Sequence, residues 1–149
     1  MATADVLYSI KIDGATRDAI KKAFTFTVEY YDQDGSLVKS EPLKYGNTEW
    51  TYGPTITKFP AVYGMRITVA PKEDLSGIGN DETFDIVYDF MVNGVCKDTE
   101  GKVLDNQSTG KKTVKYQDID VKALAADNEN FVDAYFYNID ANGAITEKK

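Results

Sequence analysis

A chain of 149 residues is the size of one ordinary domain, and we predict a single domain spanning residues 1–149. The net charge is −7, with 24 acidic residues against 17 basic ones, and the basic residues form no cluster larger than a pair, so we expect no nucleic-acid partner. No apolar run is long enough to span a membrane, and the single cysteine, Cys96, excludes an intrachain disulfide.

Alternation of apolar and polar residues with a period of two dominates the chain and predicts antiparallel strands with one buried face. The alternation is strongest in residues 6–12, 24–31, 63–69 and 83–92. From these segments we predict that Phe26, Ile67, Ile86 and Phe90 are buried. In chain order, the predicted strands are residues 6–12, 24–31, 36–40, 49–52, 55–59, 63–69, 83–92, 113–121, 131–139 and 144–147.

Helix is scarce in this pattern. Residues 16–23 predict one or two helical turns, with Thr16 as the N-cap and Asp18 in the first turn, and residues 121–127 predict another. Within 113–121 the apolar alternation slips between Tyr116 and Ile119, which predicts a β-bulge.

Three turns share the form Asp-x-(Asp/Glu/Asn)-Gly-x-apolar, beginning at Asp32, Asp98 and Asp140. An Asp at the start of a turn accepts hydrogen bonds from backbone amides ahead of it, and Gly adopts the positive φ of a hairpin return. We therefore predict three β-hairpins. The stretches 72–82 and 105–112 are predicted to be the loosest.

About ten short strands without alternating βα units predict an all-β antiparallel sandwich. Residues 24–38, Phe-Thr-Phe-Thr-Val-Glu-Tyr-Tyr-Asp-Gln-Asp-Gly-Ser-Leu-Val, resemble an early hairpin of B-type collagen-adhesin and prealbumin-like repeats. Residues 56–69 are similar to the later strand pair of those repeats, although Pro60 and Gly64 are spaced differently and Tyr63 precedes the glycine. The resemblance implies an immunoglobulin-like or prealbumin-like sandwich.

The overall pattern also resembles small secreted or lipid-anchored β-sandwich proteins of Bacteroidetes, many of which have no assigned function. This resemblance implies a place outside the cytoplasm, in the periplasm or on the cell surface. The first five residues are polar and are not a signal peptide, so we expect either a cytoplasmic protein or, as the resemblance favours, a sequence that starts after a removed leader.

Much familiar catalytic chemistry is missing. The chain has no histidine, which removes the usual general base and the commonest metal ligand, and it has no glycine-rich phosphate loop. We expect no cofactor, no metal and no enzymatic activity. One catalytic alternative is a carboxylate-only glycosidase, with Asp85 and Asp89 on the polar face of one strand and Glu29 nearby.

The Asp-rich turns also invite a calcium interpretation. Asp32 and Asp34 match positions of a calcium loop, but Tyr30 stands where the first ligand belongs. The turn at Asp140 matches such a loop better, but Lys149 stands where the bidentate acid belongs. Turn chemistry explains the same residues, so we favour plain hairpins.

The segment 45–53, Tyr-Gly-Asn-Thr-Glu-Trp-Thr-Tyr-Gly, supplies the candidate binding residues Tyr45, Trp50 and Tyr52. In an extended segment Trp50 and Tyr52 point the same way, and such aromatic rings either stack on a sugar, anchor a protein partner or belong to the core. Cys96 is interpreted as a small apolar residue.

The adhesin resemblance adds a further hypothesis, an amide bond between Lys11 in the first strand and Asn138 in a late one. The leading functional prediction is a non-enzymatic envelope or secreted sandwich with an adhesion, scaffold or binding role and a protein or glycan partner. The alternatives are a carbohydrate-binding module and, third, the glycosidase.

Overall fold

The computed structural model describes residues 2–148, and it shows an all-β sandwich of two antiparallel sheets. This confirms the predicted fold class. In chain order its elements are β1 (Thr3–Ile12), α1 (Gly14–Ala23), β2 (Phe24–Tyr31), β3 (Leu37–Ser40), β4 (Glu49–Tyr52), β5 (Thr55–Ile56), β6 (Ala61–Pro71), β7 (Phe84–Lys97), β8 (Val103–Ser108), β9 (Lys112–Ile119), α2 (Val121–Ala126), β10 (Phe131–Ile139) and β11 (Ile145–Lys148).

The two sheets have different strand orders. In the first sheet β4 and β5 pair with β1, β1 pairs with β7, and β7 pairs along its length with β9 and then β8. The second sheet has the order β11-β10-β6-β2-β3. The edges of the two sheets are joined at β8 and β11, where the Asp105 carboxylate accepts a hydrogen bond of 2.8 Å from the Ile145 backbone N–H.

The core lies between the sheets and is formed by the inward residues of the alternating strands, because burial of apolar area drives the two faces together. Phe26, Ile67, Ile86 and Phe90 are at most 3% exposed, which confirms the predicted facing of the four strongest strands. Two buried tyrosines, Tyr8 and Tyr63, cross this core and donate their hydroxyls to backbone carbonyls. The Tyr8 hydroxyl donates to the Tyr31 carbonyl at 2.8 Å and accepts from the Gly64 N–H at 3.0 Å.

Several predicted boundaries were wrong. β7 continues to Lys97, because Gly94 and Cys96 follow the inward alternation and Gly94 leaves room for the Tyr63 ring. Residues 105–112, predicted to be loose, contain most of β8. The predicted strand 55–59 is only Thr55–Ile56, where it pairs with β1.

Helix α1 begins earlier than predicted, and Asp13 is its N-cap. The Asp13 carboxylate accepts a hydrogen bond of 2.7 Å from the Thr16 N–H, as capping requires. Thr16 is instead buried, and its hydroxyl accepts from the Val87 N–H at 3.0 Å, which ties α1 to β7.

The three Asp-Gly turns are confirmed as hairpins joining β2 to β3, β7 to β8 and β10 to β11. In each turn one carboxylate oxygen of the leading Asp accepts hydrogen bonds from the backbone N–H groups two and four residues ahead, at 2.8–3.0 Å. The turn glycines have φ of 79°, 83° and 85°, the left-handed region that favours glycine. The predicted bulge is also confirmed, since the β7–β9 register shifts opposite Tyr116 and Ile119.

Candidate functional site

The three predicted binding residues do not form one exposed strip. Trp50 and Tyr52 project inward from β4 and are partly buried, with ring centroids 5.1 and 5.2 Å from that of Tyr30. Tyr45 lies on the β3–β4 loop and is 85% exposed. The structure therefore places Trp50 and Tyr52 at the rim of the core and separates Tyr45 from them.

A surface depression, which we call the turn-end cleft, has a volume of about 560 Å³. It lies between the β2–β3 turn, the β10–β11 turn and the segment leading into β6. Its residues combine an apolar floor with polar walls, and they are Tyr31, Gln33, Asp34, Gly35, Ile56, Lys58, Pro60, Ala61, Val62, Asn138, Ile139, Asp140, Ala144 and Thr146. The volume is in the range of small-ligand sites, about 300–1,000 Å³.

The floor and walls of the turn-end cleft differ in character. Ile56 and Ile139 are buried, and they form an apolar base. The exposed Gln33, Asp34 and Lys58 supply an amide, a carboxylate and an ammonium group around it. This set provides both hydrogen-bond donors and acceptors.

An aromatic pair, Tyr31 and Phe136, extends the cleft onto the outer face of the second sheet. Their rings meet edge to face with centroids 5.7 Å apart, and the Arg66 guanidinium lies 5.5 Å from the Phe136 ring centroid. Phe136 lies against Gly64 of β6, where a Cβ atom would lie 2.7 Å from Cδ1 of Phe136. Tyr31 borders both the turn-end cleft and a smaller depression of about 240 Å³ with Arg66 and Phe136, so the two surfaces are continuous.

Sequence reasoning missed this pair, although a signal was present. Tyr31 and Phe136 occupy outward positions in strands whose inward positions are also aromatic, such as Tyr30 and Tyr137. A large aromatic residue on the polar face of a strand is the feature that marks them, because the core does not require it there.

A second missed feature lies between the sheets. Asp133 faces inward from β10, and one of its oxygens accepts hydrogen bonds from the hydroxyls of Tyr88 and Tyr116, at 2.5 and 2.7 Å. Burial, reinforced by the Asp133 carboxylate, raises the pKa of both tyrosines. The cluster bridges the two sheets and has a structural role.

The glycosidase arrangement is not found. Glu29 lies in the second sheet, 3.4 Å from Arg66, whereas Asp85 and Asp89 lie on the outer face of the first. Four residues along a strand separate the two aspartates by about 13 Å, more than the 5–10 Å that glycosidase carboxyl pairs span. Both are also engaged, Asp85 by the Asp118 N–H and Asp89 by the Thr113 hydroxyl.

The positions of the residues also argue against the calcium site and the cross-link. The turn carboxylates hold backbone amides, and residues 2–148 contain no group of three acidic, Cys or His side chains placed to hold a metal ion. The amide bond between Lys11 and Asn138 was a wrong hypothesis. Lys11 lies at the far end of β1, 3.4 Å from Glu49, whereas Asn138 lines the turn-end cleft with Ile56, which pairs near the start of β1.

Cys96 is fully buried in the core. Burial raises the pKa of its thiol, and the nearby Asp105 and Asp140 carboxylates raise it further. A raised pKa keeps the sulfur protonated, which agrees with the predicted packing role.

The fold and these surfaces define an antiparallel β-sandwich with an open cleft at one end. Compared with known proteins, the chain matches no family model, no curated protein and no solved structure. Within residues 2–148, neither helix has the length and apolar character needed to cross a bilayer.

Proposed function

We propose that the protein is a non-enzymatic binding module that holds carbohydrate in the turn-end cleft. The observation that carries this proposal is the position of Tyr31, a partly exposed aromatic ring at the junction of the cleft and the outer sheet face, beside amide and carboxylate side chains. An aromatic face offers an apolar platform to the C–H groups of a sugar ring, and the polar walls offer partners to its hydroxyls.

The proposal replaces Trp50 and Tyr52 with Tyr31 and Phe136 as the stacking surface. The first two rings are engaged with Tyr30 at the core rim, whereas the second two lie on the outer face of a sheet. A neutral sugar suits the cleft, since Asp34 and Lys58 have opposite charges and the third charged side chain, Asp140, accepts two hydrogen bonds from its own turn. A location outside the cytoplasm, which the resemblance to small secreted Bacteroidetes sandwich proteins implies, belongs to the same proposal, because adhesion to surface glycans takes place there.

A glycan array followed by a pull-down on the polysaccharides it identifies tests this function. Tyr31→Ala should abolish binding and leave the circular dichroism spectrum unchanged, because the Tyr31 atom that accepts from Tyr8 is a backbone oxygen. Tyr31→Phe should retain binding, since the stacking face is preserved. Tyr45→Ala is the matched control, as it removes a more exposed tyrosine from a different surface.

Two results would contradict the proposal. If the wild-type protein binds no glycan, the carbohydrate function is wrong. If a glycan binds and Tyr31→Ala binds it equally well, the turn-end cleft is not the site.

A further inference from the structure

A separate basic depression, which we call the lysine cleft, lies at the opposite end of the second sheet. Its volume is about 390 Å³, and it is formed by Ile20, Lys21, Phe24, Thr25, Phe26, Glu41, Lys44, Tyr45 and Lys72. From Phe24 to Tyr31, β2 extends about 23 Å, so this cleft is remote from the turn-end cleft. It depends on none of the residues of the proposed carbohydrate site.

The charge of the lysine cleft is opposite to that of the whole protein. Three lysines stand against one acid, Glu41, in a chain whose net charge is −7. Among the described residues, no carboxylate oxygen lies within 4.0 Å of the amine of Lys21, Lys44 or Lys72, whereas Lys11, Lys22 and Lys111 each have such a partner. The three uncompensated amines make this cleft attractive to an acidic ligand.

The fold favours a cation at two of these positions, and it anchors one of the two amines. Lys21 lies in the last turn of α1, where a cation complements the helix dipole. The Lys72 amine donates a hydrogen bond to the Lys21 carbonyl, which fixes it at the end of the helix. Lys44 has no comparable anchor, and its amine lies 5.8 Å from the ring centroid of the exposed Tyr45.

The wall of the lysine cleft is an open strand edge. β2 pairs with β6 from Phe24 to Tyr30, but β3 covers its other side only from Val28 to Tyr31. Phe24, Thr25 and Phe26, which line the cleft, therefore lie on the part of β2 that has no strand on that side among the described residues. The Phe24 N–H is already bonded to the Ile20 carbonyl at the end of α1, and the remaining N–H and C=O groups of such an edge can pair with an extended peptide.

We propose that the lysine cleft binds an acidic, extended peptide segment of a partner protein. The segment adds as a short strand along β2 at residues 24–27, and its carboxylates meet Lys21, Lys44 and Lys72. Charge complementarity selects acidic side chains, and the open edge selects an extended backbone. Tyr45, at the mouth of the cleft, covers the bound segment.

The test measures fluorescence anisotropy with a labelled alternating Glu-Val hexapeptide. The hexapeptide should bind the wild-type chain, and its Lys-Val counterpart should not. Lys21→Gln combined with Lys44→Gln should weaken binding about 10-fold, or about 1.4 kcal/mol, as expected for two exposed ion pairs. Lys102→Gln combined with Lys115→Gln is the matched control. It makes the same change in charge away from the lysine cleft, on the β7–β8 turn and on β9.

Two further probes separate strand pairing from simple charge attraction. A Glu-Val peptide methylated on every backbone nitrogen should lose binding at unchanged charge, because neither of its edges can donate to the strand edge. Dextran sulfate should not compete better than the peptide at equal charge. Absence of peptide binding, equal binding of the methylated peptide, or preference for the sulfated polysaccharide would each overturn the proposal.

Discussion

Replacing Asp133 by alanine should reveal how strongly the two sheets are held together by a polar contact inside the sandwich. Asp133 on β10 accepts hydrogen bonds from Tyr88 on β7 and Tyr116 on β9, so the contact joins the second sheet to the first. Tyr88 is 1% exposed, whereas Tyr116 is half-buried. The two hydroxyls therefore differ in what replaces the carboxylate when it is removed.

The expected loss can be worked out from these contacts. A hydrogen bond to a charged group contributes about 1.5–3 kcal/mol to stability, and a buried donor left without a partner costs about 1–3 kcal/mol. Water reaches Tyr116 in the variant but not Tyr88, so Tyr88 accounts for most of the loss. We expect Asp133→Ala to reduce the free energy of unfolding by about 3 kcal/mol.

A double-mutant cycle measured by urea denaturation isolates the contact. Asp133→Ala, Tyr88→Phe and the double variant should show a coupling energy of at least about 1 kcal/mol, because the second change removes the hydroxyl that the first leaves unsatisfied. Asp81→Ala, at an exposed acid, should change stability by less than about 0.5 kcal/mol. A coupling energy below about 0.3 kcal/mol would refute the reasoning, since residues without interaction add within that margin.

Local patterns in the sequence predict much of this fold. The bounds of β2, β4 and β10 agree with the predicted strands, because alternation with a period of two is a property of neighbouring residues. The same holds for the three hairpin turns, in which Asp and Gly act within five residues. Sheet order and register between distant strands are not encoded so locally, so the sequence predicts a sandwich without its topology.

The candidate sites were harder to predict because they are assembled from distant segments. The turn-end cleft needs two hairpins and the start of β6 to meet, and Tyr31 contacts Phe136 from more than a hundred residues away. Asp133 carried a clearer signal, since it interrupts the inward stripe of Phe131, Tyr135 and Tyr137. An acid at such a position requires a buried partner, and only the tertiary structure shows that tyrosines provide it.

The remaining predictions concern a crowded glycine, calcium and alkaline pH. Gly94→Ala should lower the free energy of unfolding, measured in urea, by about 1–3 kcal/mol, because the added Cβ would lie 2.6 Å from the buried Tyr63 hydroxyl oxygen. Gly77→Ala, whose Cβ would have no atom within 4 Å, should have little effect. Thermal melts with calcium and with a chelator should coincide, since the turn carboxylates already hold backbone amides. Burial raises the pKa of four tyrosines far above the value of about 10 that they have in the unfolded chain, so the contribution of these four groups to stability should be constant at neutral pH and fall above about pH 10, as the unfolded chain releases protons that the folded chain retains. These residues are Tyr8, Tyr63, Tyr88 and Tyr116. Above about pH 10, each tyrosine that ionises only on unfolding lowers stability by about 1.4 kcal/mol per pH unit. If the urea midpoint is unchanged between about pH 9 and 11 while tyrosinate absorbance rises in the folded protein, these hydroxyls are open to solvent.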